Sequence, residues 1–464
     1  MASTEPPKLA VTIRERCRIA PPSDGGAEQV SLPLVFFDMV WLHFHPIQRL
    51  IFYQFPCANE HFLETVVPNI KKSLSQTLKH FLPLAGNLIY PLESGNPEFR
   101  YIPGNSVSVA IAESNEASDF HYLTGDEPRD ADRFYALVPV LPRPEIDFES
   151  GFKRIPVFAV QVTLFRDTGI CLGFTNHHAV GDGSSIVGFI KAWSSVSMLE
   201  AASQLSAANF QLPFYDRSVV KDPSGLRNTF WSQMNVSRIE SLPLNFPTNK
   251  VRATYTLPKN DIQRLRNFVQ AKKPGLVHLS SFTITTAYVW TCLVKSAAGA
   301  GEEVDDNEPE YFVFAVDARR RLDPPVPAAY FGNCVAFGMV ESRHGQLKVE
   351  NGFSVAVELI GEVISRRVNN KDEILRDAEC WVSKFSELVR KRAMGVAGSP
   401  RFDLYDTEFG WGKPKKYEVV SIDGSESMSL CKSRELEGGL EIGLSLPEKK
   451  MRAFAAIFSA GLKI

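Results

Sequence analysis

Two adjacent histidines stand in the string Thr175-Asn176-His177-His178-Ala179-Val180-Gly181-Asp182-Gly183-Ser184. A β-rich run, Ile170 to Thr175, precedes it, and a helical stripe of Ile186, Phe189, Ile190 and Trp193 follows, so the string occupies a strand-to-helix turn. Gly181 and Gly183 flank Asp182 and would admit backbone angles closed to other residues, holding His178 at the strand's end. An imidazole with an ordinary pKa near 6.5 can take the proton of a hydroxyl as it attacks a carbonyl and pass it to a leaving thiolate, worth roughly 10²- to 10⁴-fold in rate. That chemistry is general-base acyl transfer. A bare His-x-x-x-Asp is ordinarily a strand end with an aspartate capping the next helix. The double histidine, the paired glycines and the strand-to-helix setting are what point further. Side chains alternate along a strand, so only one of the two histidines can face a given cleft, and His177 is assigned a structural place.

Other chemistries lack their residues. No HExxH is present, and Asp182 follows His178 without a helical register that would aim both at one ion, so no metal is expected. No GxSxG nucleophile elbow occurs, so no covalent intermediate is expected either. Fifty-one Lys plus Arg against 53 Asp plus Glu leave a net charge of −2, too balanced for a nucleic-acid surface or a polybasic membrane anchor. Seven cysteines form no CxxC pair and lie in mostly apolar surroundings, which fits free thiols in a reducing compartment. Met1 to Cys17 holds no apolar signal-peptide core, and no run of 18 apolar residues occurs. The expectation is a soluble, cytoplasmic monomer with neutral or small partners.

At 464 residues, and roughly 100 to 200 residues per domain, the chain has room for two to four domains, and 44% apolar residues supply their cores. The spacing of Val66, Ile70, Leu74, Leu78 and Phe81 predicts a helix over 62–81, stopped by Pro83 and Gly86. Val157 to Phe165 and Ile170 to Thr175 read as a hairpin joined by Arg166-Asp167-Thr168-Gly169. Residues 201–248 have weak periodicity and read as a long crossover between domains of residues 1–200 and 249–464. Helices are predicted over 261–270, 282–295, 353–368 and 373–390. Strands are predicted over 417–422, 428–432 and 440–446, then a helix opened by Pro447.

With these strings in place, the chain resembles the BAHD family of plant CoA-dependent acyltransferases. The family's first signature matches His178 to Gly183, and the second matches Glu408-Phe409-Gly410-Trp411-Gly412, where Glu408 replaces the usual Asp. Tyr330-Phe331-Gly332-Asn333-Cys334 is similar to a string of the branch acting on anthocyanins and other phenolic glycosides, and the resemblance runs from Phe36-Phe37-Asp38 through Leu82-Pro83-Leu84-Ala85-Gly86-Asn87 to the final strands. It implies an α/β fold of two similar-sized domains of mixed sheet flanked by helices, chloramphenicol acetyltransferase-like, with a solvent channel between them and a segment near 400–425 as a candidate to pack on the first domain. An acyl-CoA co-substrate and a phenolic glycoside would meet at His178 in a ternary complex, with no bound cofactor. The resemblance makes Asp182 a loop-holding ion-pair partner and Asn333 a structural support. It makes Trp411 either an oxyanion donor through its indole N–H or a residue of the interdomain core. It also makes Arg319 the partner of Glu408.

For CoA itself, basic groups at a channel mouth are needed, and Arg252, Lys295 and Arg319-Arg320-Arg321 are available. Ser280, Ser281 and Thr283 could hold the pantetheine arm or equally cap a helix. The acyl group is open between malonyl and hydroxycinnamoyl, because Ser184 stands where many malonyl-using relatives carry a cation. A non-catalytic binding protein that keeps the channel, or an enzyme for another alcohol or amine, is the alternative.

Overall fold

The computed structural model describes residues 9–23, 28–114, 116–201, 210–236, 246–276, 278–389, 391–425 and 427–463. Three sheets carry the described residues. A six-stranded sheet runs in the order Val11–Ile19, Val107–Ser114, Phe158–Phe165, Gly169–Asn176, Ile47–Tyr53 and Pro414–Val419. Its hairpin pairs Phe165 with Gly169, so the connection has three residues, and Asp167 takes a left-handed φ of 56° that the tight reversal requires. A seven-stranded sheet runs Val335–Arg343, Pro309–Asp317, Arg392–Ala397, Met428–Lys432, Leu440–Pro447, Lys250–Leu257 and Arg129–Asp130. The third sheet, of five short strands from Val30–Pro33 to Phe152–Pro156 and Glu145–Asp147, was not foreseen.

The two larger sheets exchange edges. Pro414–Val419, from late in the chain, lies antiparallel to Ile47–Tyr53, whereas Arg129–Asp130, from early in the chain, pairs with Val251 and Arg252. The alternation of Ile47–Tyr53 explains why that sheet is buried on both faces. Ile51 and Tyr53 enter the large apolar core shared by the whole molecule, and Leu50 and Phe52 enter a smaller one with Phe120, Phe134 and Phe165.

The helix expected over 62–81 is composite. Asn59–His61 and Val67–Leu78 are α-helical around a π turn at Phe62–Val66, where Pro68 has no N–H for the ordinary i−4 bond. The predicted helix over 373–390 is also broken: Asp377 adopts a left-handed φ of 55°, and only Trp381–Leu388 continues as α-helix. Within the crossover 201–248, a helix forms at Leu226–Val236 and Phe214 bridges to Tyr330, while residues 202–209 and 237–245 lie outside the described residues. Among the described residues no helix is long and apolar enough to cross a membrane.

Candidate active site

The strand Gly169–Asn176 delivers its last residues into a short turn, His178–Val180, before the helix Gly183–Ala201 begins. His177 is buried, and its Nδ1 accepts the Ala179 N–H at 3.2 Å, so it caps the turn. Burial pushes its pKa down to about 4. His178 is partly exposed. Its Nδ1 is buried with no hydrogen bond to another residue, in contact only with its own backbone, which leaves Nε2 as the nitrogen available to a reacting hydroxyl. Desolvation, with a smaller push from the Arg49 charge, holds the ring well below the ordinary imidazole range, so it is neutral and able to accept a proton.

Asp182 turns its carboxylate away from that ring. Arg319, 2% exposed, meets it with both arms of its fork, Nη1 to Oδ2 at 2.8 Å and Nη2 to Oδ1 at 3.1 Å. The Ser185 and Cys334 backbone N–H groups donate to the same carboxylate at 3.1 Å each. Arg319 therefore pairs with Asp182 and not with Glu408, which is half-buried and makes no ion pair among the described residues. The aspartate-to-glutamate departure leaves this guanidinium untouched.

The Tyr330 to Cys334 string straps the turn down. Asn333 Nδ2 donates to the His178 carbonyl at 3.1 Å and to the Ala179 carbonyl at 2.9 Å, and both its amide and its backbone N–H reach Asp38 Oδ1. Asp38 is fully buried and also accepts the Val35 N–H at 3.1 Å, with Arg217 at 3.6 Å from its other side. Ser185 Oγ donates to the Gly332 carbonyl at 2.9 Å and accepts the Gly332 N–H at 3.0 Å. Three strings distant in sequence thus fix one turn. The sequence supplied each of them, but the Asp38–Asn333 pair spans 295 positions and no local pattern announces it.

The glycines around Asp182 serve space, not handedness. Gly181 has an extended φ of 172°, and a Cβ there would come within 2.8 Å of Ser185 Cβ. A Cβ on Gly183 would stand 2.5 Å from the Phe402 ring.

Two aromatic residues that the sequence reading did not single out enclose the imidazole. Trp41 stacks on it with ring centroids 3.7 Å apart and planes 5° from parallel, and Phe44 meets it edge-on at 5.4 Å. Phe337, from the seven-stranded sheet, packs on Trp41 at 5.5 Å, so both halves of the molecule meet here. Trp411 lies elsewhere in the packing. It is edge-on to Tyr53 at 5.3 Å and stacked on Phe409 at 5.5 Å, and none of its ring contacts is with His178.

Arg252 is corrected. It is 1% exposed, and its guanidinium is engaged by Glu418, Asp423 and the carbonyls of Val419 and Val420, so it cannot reach a phosphate at a channel mouth. Ser280 caps the helix Ser281–Gly299 through the Thr283 N–H at 3.1 Å, and Thr283 Oγ1 is bonded back to Ser280. Ser281 and Arg320 remain exposed. Surface cavities of about 310 and 420 Å³ lie along Val11–Ile19 and are lined by none of the His178 cluster. Among the described residues no group of three or more metal-ligating side chains stands together.

A family model described as Transferase family matches residues 9–460. The chain belongs to the BAHD transferase family. Members of this family are acyl-CoA-dependent acyltransferases, and the chain is one of them. It is 47% identical over 97% of its length, and 95% of the relative's, to malonyl-coenzyme:anthocyanin 5-O-glucoside-6'''-O-malonyltransferase of Salvia splendens. It is 45% identical, over 97% of the chain and 99% of the relative, to phenolic glucoside malonyltransferase 1 of Nicotiana tabacum. A coumaroyl-CoA:anthocyanidin 3-O-glucoside-6''-O-coumaroyltransferase of Arabidopsis thaliana matches at 35% over 100% of the chain and 99% of its own. The crystal structure of vinorine synthase shares the fold, with a TM-score of 0.69, 20% identity and 96% of each chain covered.

Proposed function

We propose that this acyltransferase moves a malonyl group from CoA to a sugar hydroxyl of a flavonoid or other phenolic glucoside, with His178 as general base. The observation that carries the base assignment is the neutral imidazole held by its neighbours at the junction of both halves, with Nε2 left for substrate. The acceptor's hydroxyl gives its proton to Nε2 as its oxygen attacks the thioester carbonyl. The tetrahedral intermediate then collapses, the C–S bond breaks, and the thiolate takes the proton back from Nε2. Asp182 contributes by holding the turn and Arg319 by holding Asp182.

Malonyl is preferred to hydroxycinnamoyl for two reasons. The relatives at 47% and 45% identity are named as malonyltransferases, while the coumaroyltransferase stands at 35%. A malonyl carboxylate also needs a cation, and Ser184 does not supply one, but Arg49 does. Its charge is felt at His178, its Nη1 donates to Asn176 Oδ1 at 3.3 Å, and no carboxylate lies within ion-pair distance of it among the described residues. The exposed Arg320 is the candidate for the CoA phosphates. The test is turnover of malonyl-, acetyl- and coumaroyl-CoA with anthocyanin and flavonol glucosides, read by mass spectrometry. The proposal expects malonyl-CoA to be favoured, and Arg49→Gln to lower its kcat/KM by roughly 10- to 150-fold while acetyl-CoA is little affected. Coumaroyl-CoA preferred over malonyl-CoA, or equal losses for malonyl- and acetyl-CoA in the variant, would overturn the donor assignment. Ligand binding with no turnover of any pair would favour a binding protein.

A further inference from the structure

A general base that accepts a proton becomes a cation, and something must stabilise the imidazolium at that moment. In a catalytic triad a carboxylate hydrogen-bonded to the ring does so. Here that device is missing. His178 Nδ1 has no hydrogen bond to another residue, only a contact with its own backbone that favours the charged ring, and the Asp182 carboxylate is committed to Arg319, Ser185 and Cys334. The charged and titratable groups that bear on the ring from the elements around it are Arg49 on the strand Ile47–Tyr53, His45 before that strand, and Asp182. Arg49 opposes a positive ring, and a protonated His45 would as well. Asn333 is neutral, and its amide is occupied with the backbone carbonyls of the turn and with Asp38.

One group does face the ring squarely. The Trp41 indole lies 3.7 Å from it and 5° from parallel, and its backbone is tied down because the Trp41 N–H bonds to the carbonyl of the buried Asp38. Phe44 and Phe337 brace the indole from two further directions. An aromatic face carries negative quadrupole density, so it favours a cation above it. The nitrogen lone pairs of imidazole lie in the ring plane, so a face-on stack leaves Nε2 open to substrate.

We propose that Trp41 is a positioning residue that stabilises the His178 imidazolium formed during acyl transfer by cation–π stacking, in the place a triad gives to a carboxylate. The inference deepens the proposed reaction and rests on His178 being its base. It acts on the proton-transfer step and on the ring's affinity for a proton, not on substrate binding.

The test compares Trp41→Leu and Trp41→Phe with the wild-type enzyme across pH, using malonyl-CoA and a phenolic glucoside. Trp41→Leu is expected to lower kcat by roughly 3- to 30-fold, with KM for acyl-CoA within about twofold. It should also move the acid limb of kcat/KM to lower pH by about a third of a unit to 1.5 units. Trp41→Phe should fall between the two. NMR titration of His178 in the free protein should show the same downward shift, a readout independent of turnover.

Should Trp41→Leu not fold, fluorinated tryptophan incorporated into the otherwise unchanged enzyme weakens the aromatic face with little change of shape. Activity should then fall with each added fluorine, and this trend should vanish in a Trp41→Phe background. An acid limb and a His178 titration unmoved in Trp41→Leu, or a loss wholly in KM, would overturn the proposal. So would a rate that rises with fluorination, which would mark the indole N–H as a hydrogen-bond donor instead. Retained turnover in His178→Gln would reject the base assignment itself, a different failure that is distinguishable from all of these.

Discussion

The carboxylate of Asp182 is buried with its guanidinium partner, both 3% exposed at the side chain, so its value is tied to being paired. Asp182→Asn leaves Arg319 charged in a dry site, and unfolding experiments should show a loss of about 3–5 kcal/mol. The same variant lets the turn carrying His178 relax, so turnover should fall as well. His177 sets an acid limit on stability. Its unfolded pKa is about 6.5 and its folded one about 4, so below about pH 6.5 the unfolded chain binds a proton that the native one refuses. Stability should fall by about 1.4 kcal/mol per pH unit for this histidine as pH drops from about 6.5 toward 4, measurable by denaturant titration. His178 and Asp182 were legible because their types, glycine neighbours and position between strand and helix are local. Trp41, Asp38 and Arg49 were not, because their parts in the site depend on contacts with residues more than a hundred positions away.

Among the elements, the strap Tyr330 to Cys334 has the tightest tolerance. Gly332 has a φ of 148°, and a Cβ on it would stand 2.1 Å from Arg217 Nη1, the group that serves Asp38 and the Tyr330 hydroxyl. Gly332→Ala should therefore cost at least about 1–3 kcal/mol and loosen the His178 turn, with calorimetry and turnover as the readouts. The hydrophobic spacing located the helices Lys259–Lys272 and Gly352–Asn369, which bury apolar residues every three to four positions, and Ser281–Gly299, which is buried nearly all round among other helices. It overran at 373–390, where Asp377 turns left-handed within an apolar pattern that looks helical throughout. The short strands of the five-stranded sheet carry too few residues to show an alternation of their own.

Across the whole molecule, the exchanged edge strands are locked by a buried cluster of charges. Glu418, on Pro414–Val419, accepts from Arg129 at 2.8 Å and from Arg252 at 3.2 Å, and Arg252 also meets Asp423. The two guanidinium groups hold the Glu418 carboxyl down to about 2 despite its burial. Because that value lies below the unfolded carboxyl's, the stabilisation is present above about pH 4.5 and is lost as pH falls toward 2. Glu418→Gln leaves the buried Arg129 without its carboxylate, while Arg252 keeps Asp423, and should cost about 3–5 kcal/mol in denaturant unfolding. This locking explains why Arg252, legible only as a cation, belongs to the architecture and not to CoA. Its partners lie 166 and 171 positions away, on a strand that crosses to the other sheet and on the turn that follows it. What the architecture achieves is a single imidazole fixed where both halves meet. The most direct measurement of that claim is the rate of CoA release from malonyl-CoA with a phenolic glucoside by His178→Ala, with its thermal unfolding followed in parallel. The account predicts a loss of roughly 10²- to 10⁴-fold in kcat with the unfolding transition preserved. Turnover within a few fold of wild type in a folded variant would contradict it.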